Sequence, residues 1–165
     1  MERVYIAFMG RSIWGTFNSA WASALHYRFL PQKVYLVVNS CDKPKAELCR
    51  GMLGVLYEEF QNRADIQIVT VDDSDFVQLA KTIREIVKSE ISKGNDVAFD
   101  VTGGIKLLVL GGVLSQLGEH PWSHVFYLYI PSTKNANRPY LQIPLQVQHH
   151  HDLWQEVSPD AAHHH

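Results

Sequence analysis

Val4-Tyr5-Ile6-Ala7-Phe8 is an almost unbroken apolar run, and Val34-Tyr35-Leu36-Val37-Val38 repeats its character further along the chain. A strand needs such a run when helices cover both faces of its sheet. Between the two, Phe17, Trp21, Ala24, Leu25 and Phe29 recur at helical spacing, which predicts a helix over 17–29 that Pro31 prevents from continuing. The stretch from Val4 to Val38 therefore reads as strand, helix, strand. Working outward, Pro44 suits the first turn of a helix with Cys49, Met52, Leu53, Leu56 and Phe60 on its apolar stripe, and residues 66–71 follow as a third strand. Asp72, Asp73 and Ser74 offer N-caps to a helix whose buried face is Phe76, Ala80, Ile83 and Val87 and whose end is Lys93-Gly94. Residues 96–101 then predict a fourth strand, 105–117 a helix apolar nearly all round, and 124–130 a fifth strand. Helical crossovers imply parallel pairing. An extended segment over 140–147 is expected to add an antiparallel edge strand, because Pro139 and Pro144 do not suit a central ladder.

A chain of 165 residues with 46% hydrophobic side chains is long enough to build one core without disulfide or metal staples. Its 15 basic against 17 acidic residues lack the excess of positive charge needed to coat duplex nucleic acid or an anionic membrane. Cys41 and Cys49 do not make a secreted disulfide scaffold, and no charged-then-apolar signal segment follows Met1-Glu2-Arg3, so the expected location is the cytoplasm. No apolar run reaches the roughly 20 residues that span a bilayer. The expected domain is 1–147. Residues 148–160 read as a polar tail or the start of a further domain, and 161–165 as a spacer and part of a purification tag.

Ligands of an open parallel sheet bind beyond the carboxyl ends of its strands, where the strand order reverses. Two strand-to-helix loops carry unusual residues there. The first, Met9-Gly10-Arg11-Ser12-Ile13-Trp14-Gly15-Thr16, combines small residues, hydroxyls and a guanidinium beside helix amides that attract anions. It is neither the dinucleotide fingerprint nor a Walker loop. The second is Asp100-Val101-Thr102-Gly103-Gly104-Ile105-Lys106. Its paired glycines permit close backbone approach, Thr102 adds a hydroxyl, and Lys106 enters the first helical turn beside the positive dipole end. A lysine there is locally unfavourable by up to about 1 kcal/mol, which an anion touching both would relieve. The bland reading is that Gly103-Gly104 merely turns the chain while Lys106 points into water.

This second loop resembles the signature of the CRISPR-associated Rossmann-fold (CARF) domain family, and the strand–helix order from Val4 to about Val147 is similar too. The resemblance implies a Rossmann-like α/β fold, an open and mainly parallel sheet with helices on both faces. It also implies a partner: cyclic oligoadenylate, the second messenger of type III CRISPR immunity, held across the two-fold axis of a homodimer. Carried over by residue, it implies that Thr102, Gly103, Gly104 and Lys106 contact the ligand backbone and that Gly10, Arg11 and Ser12 occupy the first-loop position. The Ile13-Trp14-Gly15 stretch departs from any fixed family pattern. Two-fold symmetry favours cyclic tetra-adenylate, and the apolar 105–117 helix, with Gly111 and Gly112, offers a self-complementary patch or else fills the monomer core.

Two functional readings follow from that resemblance. One is a ring nuclease in which a ligand 2′-hydroxyl attacks the adjacent phosphate without a metal or other cofactor, Lys106, Arg11 and Ser12 stabilising charge on phosphate oxygens. The other is a non-catalytic sensor domain of a larger effector. A mononucleotide enzyme is disfavoured by the missing glycine motifs. Trp14 either stacks on adenine or pins its loop to the core. His149-His150-His151 point in alternate directions, lack partners at metal-ligand spacing and are expected to be exposed. Asp72, Asp73 and Asp75 are expected to cap a helix rather than hold a cation, and Cys41 and Cys49 to be buried or incidental.

Overall fold

The computed structural model describes residues 1–72, 74–104, 106, 109 and 122–157. Their strands form a single sheet: β1 (Arg3–Met9), β2 (Lys33–Asn39), β3 (Asp65–Val71), β4 (Asp96–Asp100), β5 (His124–Tyr129) and β6 (His149–Asp152). The order across the sheet is β3-β2-β1-β4-β5-β6, and each pairing is parallel except the antiparallel β5–β6 edge. The α/β architecture expected from the alternating apolar runs is therefore the observed one.

Side-chain alternation along β1 divides the core into two. Tyr5, Ala7 and Met9 face α1 (Ile13–His26) and α2 (Lys43–Glu59), packing with Phe17, Ala20, Leu53 and Leu56. Val4, Ile6 and Phe8 face the other way, onto Leu79, Ile83 and Val87 of α3 (Phe76–Ser92). Because both faces are covered, β1 needs apolar residues at both parities, which is why Val4 to Phe8 lacks the polar alternation of a half-exposed strand.

Local signals explain the helix limits. Pro44 lies in the first turn of α2, and Asp75 caps α3 by accepting the Gln78 N–H at 2.9 Å. At the far end of α3, Gly94 takes φ 74°, the left-handed geometry that a side chain resists. The first helix differs from its expected span of 17–29. It starts a turn earlier because Ser12, itself extended, accepts the Trp14 N–H at 3.3 Å and so caps a turn ahead of Phe17. It ends at His26, since Arg28 takes φ 52°.

The edge strand is also displaced from expectation. Residues 140–147 are not a strand; they hold two 3-10 turns, Tyr140–Gln142 and Leu145–Val147, introduced by Pro139 and Pro144. The ladder resumes immediately afterwards, with Tyr129 opposite His149 and Phe126 opposite Asp152, and a short helix, Leu153–Val157, closes the described chain. The histidine run is thus sheet. His149 is exposed, but His150 points inward, stacked on Phe126 at 5.5 Å with Nε2 3.3 Å from the Ser23 hydroxyl. Burial, helped by nearby His26, pushes the His150 imidazole down to about 4, so exposure was the wrong expectation for that residue. Cys49 is buried, and burial followed by the nearby Asp100 charge pushes its thiol up to about 12; Cys41 is exposed. The predicted 105–117 helix and its self-complementary patch lie outside the described residues apart from Lys106 and Val109. No described helix is long and apolar enough to cross a membrane.

Candidate functional site

The strand order reverses between β1 and β4. From β1 the chain crosses by α1 to β2 on one side, and from β4 it proceeds to β5 on the other. The two connections also take opposite faces: α1 joins the Tyr5–Ala7–Met9 core, whereas Val109 packs against the Val4–Ile6–Phe8 core. Connections that diverge in this way leave a crevice at the carboxyl ends of the two central strands.

The loops predicted to carry chemistry meet there. A Cβ built on Gly15 would stand 3.1 Å from the Gly103 Cα, so the first turn of α1 rests directly on the second loop. The glycines are required by that packing. A methyl group at Gly103 would strike the Thr16 hydroxyl and come within 2.9 Å of the Phe8 carbonyl oxygen and the Thr16 nitrogen. At Gly104 it would lie 2.6 Å from the Phe8 Cβ and 2.8 Å from Val109. Both glycines therefore allow backbone to approach protein, in addition to leaving their surroundings narrow.

Thr102 extends the sheet where its main chain leaves it. Pairing of β4 with β5 ends at Asp100 opposite Phe126, Val101 still donates to the Phe126 carbonyl at 3.0 Å, and the Thr102 hydroxyl oxygen then accepts the Leu128 N–H at 2.9 Å. The same hydroxyl donates to Ser19 Oγ at 3.0 Å, and Ser19 donates to Asp100 Oδ1 at 2.9 Å. Asp100 Oδ1 also accepts the Thr102 N–H at 2.9 Å, closing a buried ring of bonds between β4, its loop and α1. Burial pushes the Asp100 carboxyl up to about 6, against hydrogen bonds from Thr102 and Ser19 that favour the ionised form. Its Oδ2 and the Tyr5 hydroxyl are buried without a hydrogen-bond partner.

The first-loop residues divide by role. Gly10 is buried at the end of β1, while Arg11 is exposed with its carbonyl held by Lys45 Nζ at 3.3 Å. Ser12 caps α1 and donates its hydroxyl to Asn137 Oδ1 at 3.1 Å. Trp14 packs edge-on against Phe17 at 6.1 Å and only partly exposes its ring, so it pins the helix start while keeping a face toward the crevice. Lys106 is helical and exposed. Among the predicted residues, Arg11 and Lys106 present free charge; Ser12 and Thr102 spend their hydroxyl protons within the fold.

A cleft of about 230 Å³ opens between Trp14, Gly15 and Asn18 of α1, Thr102, and the stretch from Tyr127 to Ile130, with Ala136 at its edge. Asn18, Ser19 and Asp100 escaped the sequence reading as site residues. Their signal was the polar run Thr16, Asn18 and Ser19 at the start of an otherwise apolar helix, all fully buried. Polar side chains in that position must find partners, and here they find the second loop.

No family model matches the chain, and no curated protein matches it. Solved structures do. Protein VC1899 from Vibrio cholerae is similar with a TM-score of 0.59 at 12% identity, over 77% of this chain and 30% of that one. Can2 from Sulfobacillus thermosulfidooxidans, solved in complex with cyclic tetra-adenylate, gives 0.54 at 17% identity over 78% of this chain and 32% of its own. A type III CRISPR defence DNA nuclease activated by cyclic oligoadenylate gives 0.56 at 13% identity over 98% and 22%. The chain spans about a third or less of each. At these identities the likeness is one of fold alone, a Rossmann-like and mainly parallel α/β sheet.

Proposed function

We propose that this chain binds cyclic oligoadenylate in type III CRISPR signalling, at the crevice between the β1–α1 loop and the loop after β4. The observation that carries the reading is the meeting of those loops at the strand-order reversal, with Gly15 against Gly103 and the cations Arg11 and Lys106 on the two loops. The sharing of this fold with proteins described as bound to, or activated by, cyclic adenylates supports it. Gly10, Arg11, Ser12, Trp14, Thr102, Gly103, Gly104 and Lys106 form or shape the binding surface, and a homodimer would present two copies of each to a ring of four adenylates.

Cleavage extends this reading. The ligand 2′-oxygen attacks the adjacent phosphorus, the bond from phosphorus to the 5′-oxygen breaks, and the 2′-hydroxyl proton passes to the departing 5′-oxygen, leaving a 2′,3′-cyclic phosphate. Lys106 and Arg11 would stabilise charge on the phosphate oxygens. Binding without cleavage is favoured by one feature: the Ser12 and Thr102 hydroxyls already donate within the protein, to Asn137 and Ser19. Calorimetry with cyclic tri-, tetra- and hexa-adenylate and linear tetra-adenylate tests the first part. Preference for the tetra-adenylate ring over the linear form is expected, because the closed ring loses less conformational freedom. Chromatography of labelled rings after incubation separates ring nuclease from sensor, and light scattering with and without ligand tests the homodimer.

A further inference from the structure

The outer face of α2 is apolar where a helix turned to water should be polar. Leu48, Gly51, Met52 and Val55 follow one another at the spacing that aligns side chains along one stripe of a helix. Leu48 is 58% exposed and Val55 62%. Phe17 and Trp21 of α1 stand beside them, and the two helices enclose a groove of about 470 Å³. Its charged lining is Glu47, already paired with Arg50 at 2.7 Å, and Glu59. A contiguous apolar surface of this kind marks a place where something else binds.

The charges of α2 say what that is, because they run against the helix's own dipole. Lys43 and Lys45 stand in the first turn and Glu58 and Glu59 in the last, with no acidic residue opening the helix and no basic one closing it. In an isolated helix each placement is unfavourable. Both become favourable when a second helix of the same charge order lies antiparallel alongside, since its glutamate end then meets the lysine end. A second copy of α2 has that order. A two-fold axis between Gly51 and Met52 sets Leu48 against Val55 of the partner subunit and brings Lys45 level with the partner's Glu59. Lys45 Nζ donates to Asp42 Oδ1 at 3.2 Å and to the Arg11 carbonyl at 3.3 Å, which leaves one ammonium proton for that contact. Gly51 suits the axis itself. A Cβ there would meet no atom of its own subunit within 4 Å, so the interior does not require the glycine, whereas its missing side chain lets two helix backbones approach.

We propose that the groove between α1 and α2 is an interface between two copies of this chain, closed by antiparallel pairing of their α2 helices. Its lining residues belong to neither ligand loop, so it stands apart from the function proposed above. A dimer formed at those loops would itself associate through α2.

Crosslinking reads the axis directly. Gly51→Cys in a Cys41→Ser background, treated with a short bis-maleimide, should give covalently joined pairs of chains, while the buried Cys49 stays unreacted. Arg50→Cys in the same background, one residue along and outside the groove, should lose that product. Light scattering gives a second reading. Val55→Glu buries a carboxylate against an apolar partner, so it should lower the assembled mass by at least about twofold at equal concentration. Thermal melting establishes that this variant is folded; if it is not, the crosslinking comparison still decides. Equal yields from Gly51→Cys and Arg50→Cys, or no product from either, overturn the pairing. A mass that folded Val55→Glu leaves unchanged also overturns it, and assigns the groove to a different occupant such as a small apolar molecule. Failure of cyclic adenylates to bind would overturn the proposed function and leave this interface standing.

Discussion

Lys106 and Gly103 lie close together in sequence and should respond to substitution in opposite ways. Lys106 is exposed and sits where a cation has no local electrostatic benefit. Lys106→Ala is therefore expected to leave the melting temperature unchanged within about 2 °C, because substitutions away from buried features stay within roughly 0.5 kcal/mol. Removal of a charge-assisted phosphate contact of about 1.5–3 kcal/mol in each of two subunits should weaken cyclic tetra-adenylate binding by roughly two to four decades if the contributions add. Retention of normal affinity, measured by calorimetry, would remove Lys106 from the site. Gly103→Ala is the reverse case. Its new methyl group would meet the backbone of Phe8 and Thr16, neither of which is the yielding end of a flexible side chain. Overpacking of this kind costs about 1–3 kcal/mol, so denaturant unfolding should show a clear loss of stability before any ligand is added.

At the scale of the element, the start of α1 joins fold and site. Ser12 accepts the Trp14 N–H and bonds Asn137, so one hydroxyl sets the helix start and ties it to the segment that follows β5. Ser12→Ala should lower stability by about 0.5–2 kcal/mol, the usual loss for an N-cap, whereas Ser12→Asp should recover only the capping share, because a carboxylate cannot donate to Asn137 Oδ1. Chemical denaturation of the three proteins compares them directly. The cap was legible in principle, because Ser12 precedes the helix by the right spacing. Apolar spacing alone starts the helix at Phe17, a turn late, because the close approach to Gly103 that explains Gly15 is invisible along the chain. The displaced edge strand has a similar cause. Residues 140–147 have the composition of a strand, yet Pro139 and Pro144 each start a tight turn, and the partner for β5 became the polar run His149–Asp152. An edge strand needs only one paired side, so β6 can be polar where β1 cannot.

For the molecule as a whole, two buried titrating groups should give acid stability an unusual form. Asp100 is held up at about 6 by burial, above the usual aspartate value near 4. Between those limits the unfolded chain gives up a proton that the folded chain retains, so this group makes the fold less stable as pH rises from about 4 to about 6. His150 is held down at about 4 by burial and by His26, below the usual value near 6.5. There the unfolded chain takes up a proton that the folded chain refuses, and stability falls as pH drops from about 6.5 to about 4. The two slopes oppose each other between about pH 4 and 6. Asp100→Asn keeps an oxygen for Ser19 and Thr102 and cannot ionise; it should raise stability at pH 7, on the order of 2 kcal/mol, and leave the His150 slope exposed. Thermal melting from pH 4 to 7.5 reads both effects. A variant that melts below the parent at pH 7 would show that the ionised carboxylate is worth more to its hydroxyl and amide donors than its burial costs.

The chain's own chemistry was sufficient to specify the doubly covered parallel sheet, the limits of α2 and α3, and the two loops at which a ligand would be sought. Those features follow from local rules: apolar runs without alternation, a proline and an aspartate at helix starts, and Gly94 at a helix end. Tertiary structure alone decided what each loop residue does. Whether Gly103 faces ligand or protein depends on Phe8 and Thr16, and whether the Thr102 hydroxyl is free depends on Ser19 and Leu128. The Asn18 amide finds its acceptor only because the carbonyl of Arg138 folds back onto α1. Partners so far apart in sequence leave no periodicity to read, since strand order and crossover handedness bring them together only after the core has formed.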